Sequence, residues 1–161
     1  MTIWLKETDM SDNGAYMKKV LLQVEDLNAI IEKIKSEDFV DKDNIYLLGS
    51  SMGGVTVATC AVIHTDDIKG TILQYPVIFL NEQAYEIGAE YDVNGYKNPV
   101  LLLQGDSDKV VPDKYSIELC DYYNSIDKNH CRMIIYNGQP HVFTGKYKVI
   151  AAKDIYEFIN S

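Results

Sequence analysis

The chain has 161 residues and a mass of 18.3 kDa, enough for one domain with one hydrophobic core but not for two. Hydrophobic residues make up 47% and charged residues 24%, as in ordinary globular proteins, which excludes disorder, collagen and low-complexity repeats. The net charge of −9 repels phosphate backbones and anionic lipids, so we expect no nucleic-acid partner and no membrane partner.

The cysteines and the first residues favour a reducing compartment. Cys60, Cys120 and Cys131 are odd in number and form no C-x-x-C pair, which fits neither a disulfide framework nor a zinc ribbon. The first ten residues lack the basic and apolar regions of a signal peptide. No apolar run approaches the roughly 18 residues that a membrane span needs. We therefore predict a cytoplasmic protein.

Helical and extended patterns alternate along the chain. Apolar residues recur with the helical period from about Tyr16 to Lys35, and a short apolar run at 45–48 predicts a strand buried on both faces. The other predicted elements are helices at 55–63, 113–124 and 147–159 and strands at 71–75, 99–103 and 131–136. This alternation predicts a single α/β domain over residues 1–161, with a mostly parallel sheet and helices on both faces.

A Gly-x-Ser-x-Gly pattern lies between the first strand and the next helix, in the segment GSSMGG at 49–54, with Ser51 at its centre. On a sharp strand-to-helix turn the serine hydroxyl rises off the sheet, and Gly49, Gly53 and Gly54 would relieve the crowding of the backbone. The N–H of Met52, at the positive end of the helix, would face an oxyanion formed on an attacked carbonyl. The pattern predicts a nucleophilic Ser51; a capped glycine-rich turn is the structural alternative.

A nucleophilic serine needs a general base, and the sequence offers three histidines. His64 ends the helix that Ser51 begins, roughly 20 Å away, and is predicted to be a helix cap. His130 precedes the fourth strand, on the side of the sheet opposite the carboxyl ends of the strands, and is predicted to lie in a surface turn. His141 follows that strand and projects from the carboxyl edge, where ligands bind in open α/β folds. His141 is therefore the predicted base, with an ordinary loop histidine as the alternative.

The carboxylate that would orient His141 belongs at the same edge. The segment after the third strand offers Asp106 and Asp108, which the spacing alone does not separate. A metal site is the alternative for this Asp-x-Asp pair, but the segment lacks the rest of a calcium loop and any nearby histidine. The order of Ser51, then an aspartate, then His141 resembles that of the α/β-hydrolases rather than that of chymotrypsin or subtilisin.

The sequence resembles the α/β-hydrolase superfamily, and most of all the small bacterial esterases of the cinnamoyl/feruloyl-esterase and dienelactone-hydrolase-like kind. The resemblance covers the chain from about residue 20 and is carried by the segments 24–30, 43–54, 99–112 and 137–143. It places the family's acid on Asp108 rather than Asp106, and the family's histidine on His141. Gln104 stands where the family often has histidine, a departure outside the catalytic residues that we treat as minor.

The resemblance implies an α/β-hydrolase fold that is N-terminally truncated. Relatives begin with further strands and a His-Gly-type oxyanion loop that have no counterpart before residue 20. The strand at 45–48 would then be an apolar sheet edge that invites pairing with another chain. We expect either the C-terminal part of a longer esterase or a chain that completes its sheet by association, for example as a homo-oligomer.

The family's cap insertion is short in this sequence and limited to about residues 80–98. Tyr85, Tyr91 and Tyr96 of this region are candidates for lining an aromatic acyl site. Exposed loop tyrosines are the alternative interpretation.

The function implied by the resemblance is that of a serine hydrolase that cleaves carboxylic ester bonds through an acyl-enzyme. Ser51 would attack a small-molecule ester, His141 would transfer the proton, Asp108 would orient His141, and the Met52 N–H would supply one oxyanion donor. No metal or organic cofactor is needed. A peptidase or thioesterase with the same residues is an alternative, and so is a non-catalytic fragment that acts as an interaction module.

Overall fold

The computed structural model describes residues 13–80 and 96–161. Its strands are β1 (Tyr46–Ser50), β2 (Gly70–Gln74), β3 (Val100–Gly105) and β4 (Cys131–Tyr136). Its helices are α1 (Asn13–Lys35), α2 (Met52–Ile63), α3 (Asp113–Ile126) and α4 (Tyr147–Ile159). All strand pairs are parallel, and the sheet order is β1-β2-β3-β4. None of the helices within these ranges has the length and apolarity to span a membrane.

The predicted α/β class and parallel sheet are confirmed, and the predicted elements shift by only a few residues at their ends. β1 continues to Ser50, because Ser50 lies in register with Gln74 of β2. β3 continues to Gly105, opposite Tyr136 of β4. Both extensions lengthen the carboxyl edge of the sheet, where the candidate residues of the site were expected.

The sheet separates two apolar layers, because successive side chains of a strand point to opposite faces. Leu73 and Leu102 belong to the layer that packs against α1, α2 and α3. Ile72 and Leu101 belong to the opposite layer, together with Phe158 of α4. Every residue of β3 is buried as a result, as expected for a central parallel strand covered on both faces.

β1 is the outermost strand of the described sheet. Its Leu48 side chain is 49% exposed, so an apolar group faces solvent beside the edge. Unpaired edges of this kind are templates for pairing with another chain. Homo-oligomer formation through this edge stays a prediction.

The amino edge of the sheet holds a buried aromatic group around His130. The His130 ring lies 5.2 Å from the Tyr123 ring and 6.1 Å from the Tyr96 ring, measured between centroids. His130 is only 5% exposed, so the predicted surface turn is wrong. The carbonyl of His130 accepts a hydrogen bond from the N–H of Val100 (2.8 Å), which ties the residue directly before β4 to the first residue of β3.

Tyr96 is a core residue rather than part of an acyl site. It is 1% exposed, and its hydroxyl donates to the carbonyl of Ile68 (3.4 Å), ahead of β2. Tyr96 therefore lies at the edge of the sheet opposite Ser51. Tyr85 and Tyr91, like most of the predicted cap at 80–98, lie outside the described residues.

Candidate active site

Ser51 occupies the sharp turn between β1 and α2, with φ 53° and ψ −121°. Positive φ is costly for a residue with a side chain, so the surroundings must hold this conformation. The N–H of Ser51 donates to the carbonyl of Gln74 (2.9 Å). The carbonyl of Ser51 accepts from the N–H groups of Gly54 (2.9 Å) and Val77 (3.2 Å). These bonds tie the turn to the end of β2.

The glycines around Ser51 differ in what they accommodate. A Cβ atom on Gly49 would lie 2.1 Å from the carbonyl oxygen of Gly53, and one on Gly54 would lie 2.8 Å from Cβ of Pro76. A Cβ atom on Gly53 would meet no atom of the described residues within 4 Å. The predicted crowding thus applies to Gly49 and Gly54 but is wrong for Gly53, which has space for a side chain. Gly53 takes part in the crowding through its carbonyl oxygen, which the Cβ of a residue at 49 would meet.

The structure brings the predicted serine, histidine and one of the two predicted carboxylates into a single hydrogen-bonded chain. Nε2 of His141 lies 2.9 Å from Oγ of Ser51. Nδ1 of His141 lies 2.8 Å from Oδ2 of Asp108. An ionised carboxylate only accepts hydrogen bonds, so Nδ1 carries the proton and Nε2 is free to accept from the Ser51 hydroxyl.

The two candidate aspartates are distinguished by burial and by partners. The Asp108 side chain is fully buried, at 0% exposure, and its Oδ1 accepts from the N–H groups of Val110 (2.8 Å) and Val111 (2.9 Å). Asp106 is exposed, and its Oδ1 accepts from the N–H of Gly138 (2.7 Å). Asp106 therefore joins two loops, while Asp108 contacts the imidazole.

The loop that carries His141 packs directly on the end of β3. A Cβ atom on Gly105 would lie 2.1 Å from the carbonyl oxygen of Gln139, so the two backbones are in close contact. The N–H of Ser107 donates to that same carbonyl (3.1 Å). The Gln139 amide oxygen accepts from the N–H of Thr144 (2.9 Å), which closes the loop. The loop of His141 and the segment of Asp108 are therefore held together at the end of β3.

Tyr75 belongs to this site, although no sequence motif pointed to it. Its ring centroid lies 4.7 Å from that of His141 and 5.1 Å from that of Phe143. Its φ is 39°, a second strained position at the carboxyl edge. Burial raises the pKa of the Tyr75 hydroxyl, and a hydrogen bond with Ser50 opposes that rise. The one available signal was its position, directly after β2 at the same edge as Ser51.

Met52 is the first residue of α2, directly after Ser51. The first N–H groups of a helix have no acceptor within the helix and lie at its positive end. The backbone of Met52 is therefore suited to donate to an oxyanion beside Ser51. That role stays a prediction.

His64 lies far from this site and ends α2. Its Nε2 lies 3.1 Å from the side-chain oxygen of Asn28, and its Nδ1 lies 3.3 Å from Oδ2 of Asp67. Glu32, His64 and Asp67 bring possible metal-binding atoms within 4.8 Å of one another. Lys35 already donates to Asp67 (2.7 Å) and Glu32 (3.3 Å), and its hydrogen bond lowers the pKa of Asp67. The group is an ion-pair network around a lysine.

A parallel sheet covered by helices on both faces, with a serine, an aspartate and a histidine in that chain order at its carboxyl edge, is typical of the α/β-hydrolase fold. The model of the Hydrolase_4 family (serine aminopeptidase, S33) matches residues 11–91, half of the sequence. The chain belongs to this family of hydrolases. No curated protein matches the sequence significantly.

Solved structures with the same fold include esterases and peptidases. Est1E from Butyrivibrio proteoclasticus matches with a TM-score of 0.73 at 22% identity, over 87% of this chain and 70% of Est1E. A second Est1E structure has ferulic acid bound. Esterase PE8 matches with a TM-score of 0.68 at 19% identity, over 96% of this chain and 67% of PE8. Dipeptidyl peptidase 4 from Porphyromonas gingivalis matches with a TM-score of 0.72 at 17% identity, over 87% of this chain and 22% of the peptidase chain.

Proposed function

We propose that the chain is a serine hydrolase that cleaves carboxylic ester bonds of small molecules through an acyl-enzyme. The observation that carries this proposal is the hydrogen-bonded chain from Ser51 through His141 to Asp108, with contacts of 2.9 Å and 2.8 Å. Each contact lies within the range over which a base activates a hydroxyl nucleophile. Membership in a hydrolase family supports the same reaction class.

In the first half of the proposed reaction, Oγ of Ser51 attacks the ester carbonyl carbon while its proton passes to Nε2 of His141. The carbonyl oxygen becomes an oxyanion and accepts a hydrogen bond from the N–H of Met52. Asp108 stabilises the imidazolium through the Nδ1 proton. The C–O bond to the alcohol then breaks, and the leaving oxygen takes the proton from His141.

In the second half, a water molecule attacks the acyl group on Ser51 and gives a proton to Nε2 of His141. The bond between the acyl carbon and Oγ breaks, and the proton returns to Ser51. A carboxylic acid is released, and the starting hydrogen-bonded chain is restored. The two hydrogen bonds of His141, with Ser51 and Asp108, support both halves of the proposed reaction.

A peptidase is the second candidate, because the family description names a serine aminopeptidase and the similar structures include a dipeptidyl peptidase. An amide is the harder substrate, since its nitrogen must be protonated before it leaves. An ester places less demand on a site for which the Met52 N–H is the candidate oxyanion donor. The ferulic acid in Est1E and the esterase PE8 also favour an ester substrate.

Initial rates on a short p-nitrophenyl ester, an aminoacyl p-nitroanilide and an acyl thioester test the proposal. We expect Ser51-dependent turnover that is fastest on the ester. Faster turnover of the anilide would identify an aminopeptidase instead, and faster turnover of the thioester would identify a thioesterase. Rates that equal those of Ser51→Ala on all three would contradict catalysis by this chain and favour an interaction module.

Asp108→Asn is expected to lower kcat by roughly 10⁴-fold, whereas Asp106→Asn is expected to cost no more than about tenfold. An amide at 108 can donate to Nδ1 of His141, which favours the tautomer whose Nε2 carries a proton and cannot accept from Ser51. The Asp106 carboxylate accepts from the N–H of Gly138 and the hydroxyl of Ser107, and not from His141. The measurement is kcat on a short p-nitrophenyl ester. Equal losses in the two variants, or a larger loss at Asp106, would refute the assignment of Asp108.

The cellular location is a separate proposal. The three cysteines are free and buried, and free thiols persist in reducing compartments. We infer that the protein acts in the cytoplasm.

A further inference from the structure

The side chain of Gln104 is fully buried beneath the Asp108 carboxylate. Its exposure is 0%, and every polar atom of its amide is used. Nε2 lies 3.1 Å from Oδ2 of Asp108, 3.0 Å from the carbonyl of Val111 and 3.2 Å from the carbonyl of Gly105. The amide oxygen accepts a hydrogen bond from the Ser116 hydroxyl (2.8 Å). Gln104 thus links β3, the loop of the acid and α3.

The chemistry of its neighbours fixes which way the Gln104 amide points. The three groups around Nε2 are all acceptors, so an inverted amide would turn its oxygen toward a carboxylate and two carbonyls. Ser116 is 1% exposed and donates to the amide oxygen from the other side. The amide therefore presents N–H to Asp108.

The Asp108 carboxylate receives four hydrogen bonds in this arrangement. Oδ1 accepts from the backbone N–H groups of Val110 and Val111. Oδ2 accepts from both Nδ1 of His141 and Nε2 of Gln104. Gln104 is the side chain that shares the oxygen used by His141. The departure at Gln104 therefore lies in direct contact with the proposed acid, although it is outside the proposed catalytic residues.

We propose that Gln104 is a positioning residue for Asp108 and that Ser116 holds the Gln104 amide in its working orientation. This inference rests on the proposed function. The Gln104 amide fixes the rotation of the carboxylate, so that Oδ2 faces His141 rather than the carbonyls nearby. It also withdraws negative charge from Oδ2 and so sets the strength of the hydrogen bond to His141. A primary amide does not titrate, so this donor is present at every working pH.

Gln104→Met tests the proposal, because it keeps an apolar chain of similar length and removes the donor. We expect kcat on a short p-nitrophenyl ester to fall about 10–100-fold with KM nearly unchanged, the loss for one hydrogen bond to a charged group. The low-field proton resonance of His141 Nδ1–H, assigned by its absence in His141→Gln, should shift or broaden. Ser116→Ala should change both quantities in the same direction but less.

Asn124→Leu is the matched control. The Asn124 amide bonds the N–H (2.9 Å) and the carbonyl (3.0 Å) of Cys131 at the amino edge, so its loss removes partly buried amide contacts far from Asp108. We expect a lower Tm with kcat and the resonance unchanged.

An unchanged resonance and an unchanged kcat in Gln104→Met would overturn the inference. If that variant does not fold, Ser116→Ala decides between the same two outcomes. The resonance is measured without substrate, so it reports on Gln104 even if the parent chain shows no Ser51-dependent turnover. That absence of turnover would count against the proposed function alone.

Discussion

Ester hydrolysis is expected to fall by roughly 10⁴- to 10⁶-fold in Ser51→Ala, to the residual rate that substrate binding and the oxyanion donor support. The substitution removes the oxygen that forms the acyl-enzyme, and no other hydroxyl takes its place against Nε2 of His141 in the described residues. The remaining groups can bind an ester but cannot form the acyl-enzyme. Initial rates on a short p-nitrophenyl ester measure the effect, with circular dichroism as the check on folding.

Ser50→Ala is the matched control, since Ser50 is the adjacent serine on the same turn. Its hydroxyl donates to the side-chain oxygen of Gln74 (2.8 Å) instead of reaching His141. We expect a change of less than about tenfold, because the hydrogen bonds that Ser50 makes, with Gln74 and Tyr75, are between neutral groups. Loss of activity in Ser50→Ala with activity retained in Ser51→Ala would show that the nucleophile is misassigned.

Gly49→Ala is expected to lower the free energy of unfolding by about 3 kcal/mol, the upper part of the range for overpacking. The added Cβ would lie 2.1 Å from the carbonyl oxygen of Gly53. That oxygen belongs to the backbone of α2, so the clash cannot be relieved by the movement of a flexible side chain. The first turn of α2 must move, and Ser51 moves with it. Urea unfolding followed by circular dichroism measures the change.

Gly53→Ala is the control in the same turn. Its Cβ would meet no described atom within 4 Å, and alanine is favoured over glycine in helices by up to about 1 kcal/mol. We expect unchanged or slightly higher stability. Equal destabilisation by the two substitutions would contradict the assignment of the close contact to Gly49 and of free space to Gly53.

The fold and the proximity of Ser51 and His141 were predictable from the sequence, because both depend on the local pattern of apolar runs and on which residues follow them. Buried parallel strands are continuous apolar runs, and β3 shows this pattern in its first four residues, Val100 to Leu103. Ser51 and His141 each follow a strand of a parallel sheet, so topology alone brings them to one edge. No further knowledge of packing was needed for that step.

The remaining features depend on where side chains point after a turn, which spacing does not encode. Asp106 and Asp108 are two residues apart, yet one is exposed and the other lies under His141. His130 looked like a turn residue but is enclosed by aromatic rings contributed from other segments. The contact of Tyr75 with His141 joins segments that are distant in the sequence. The partners of Gln104 lie within twelve residues of it, but the spacing does not show that its amide reaches both Asp108 and Ser116.

Covalent labelling with a fluorophosphonate tests the central claim most directly, because the reagent reacts with an activated serine whatever the natural substrate is. We expect a single adduct per chain, located on Ser51 by peptide mass spectrometry. It should be absent in Ser51→Ala and form much more slowly in His141→Ala. No adduct on the folded chain, or an adduct on another residue, would contradict the assignment of Ser51 as an activated nucleophile.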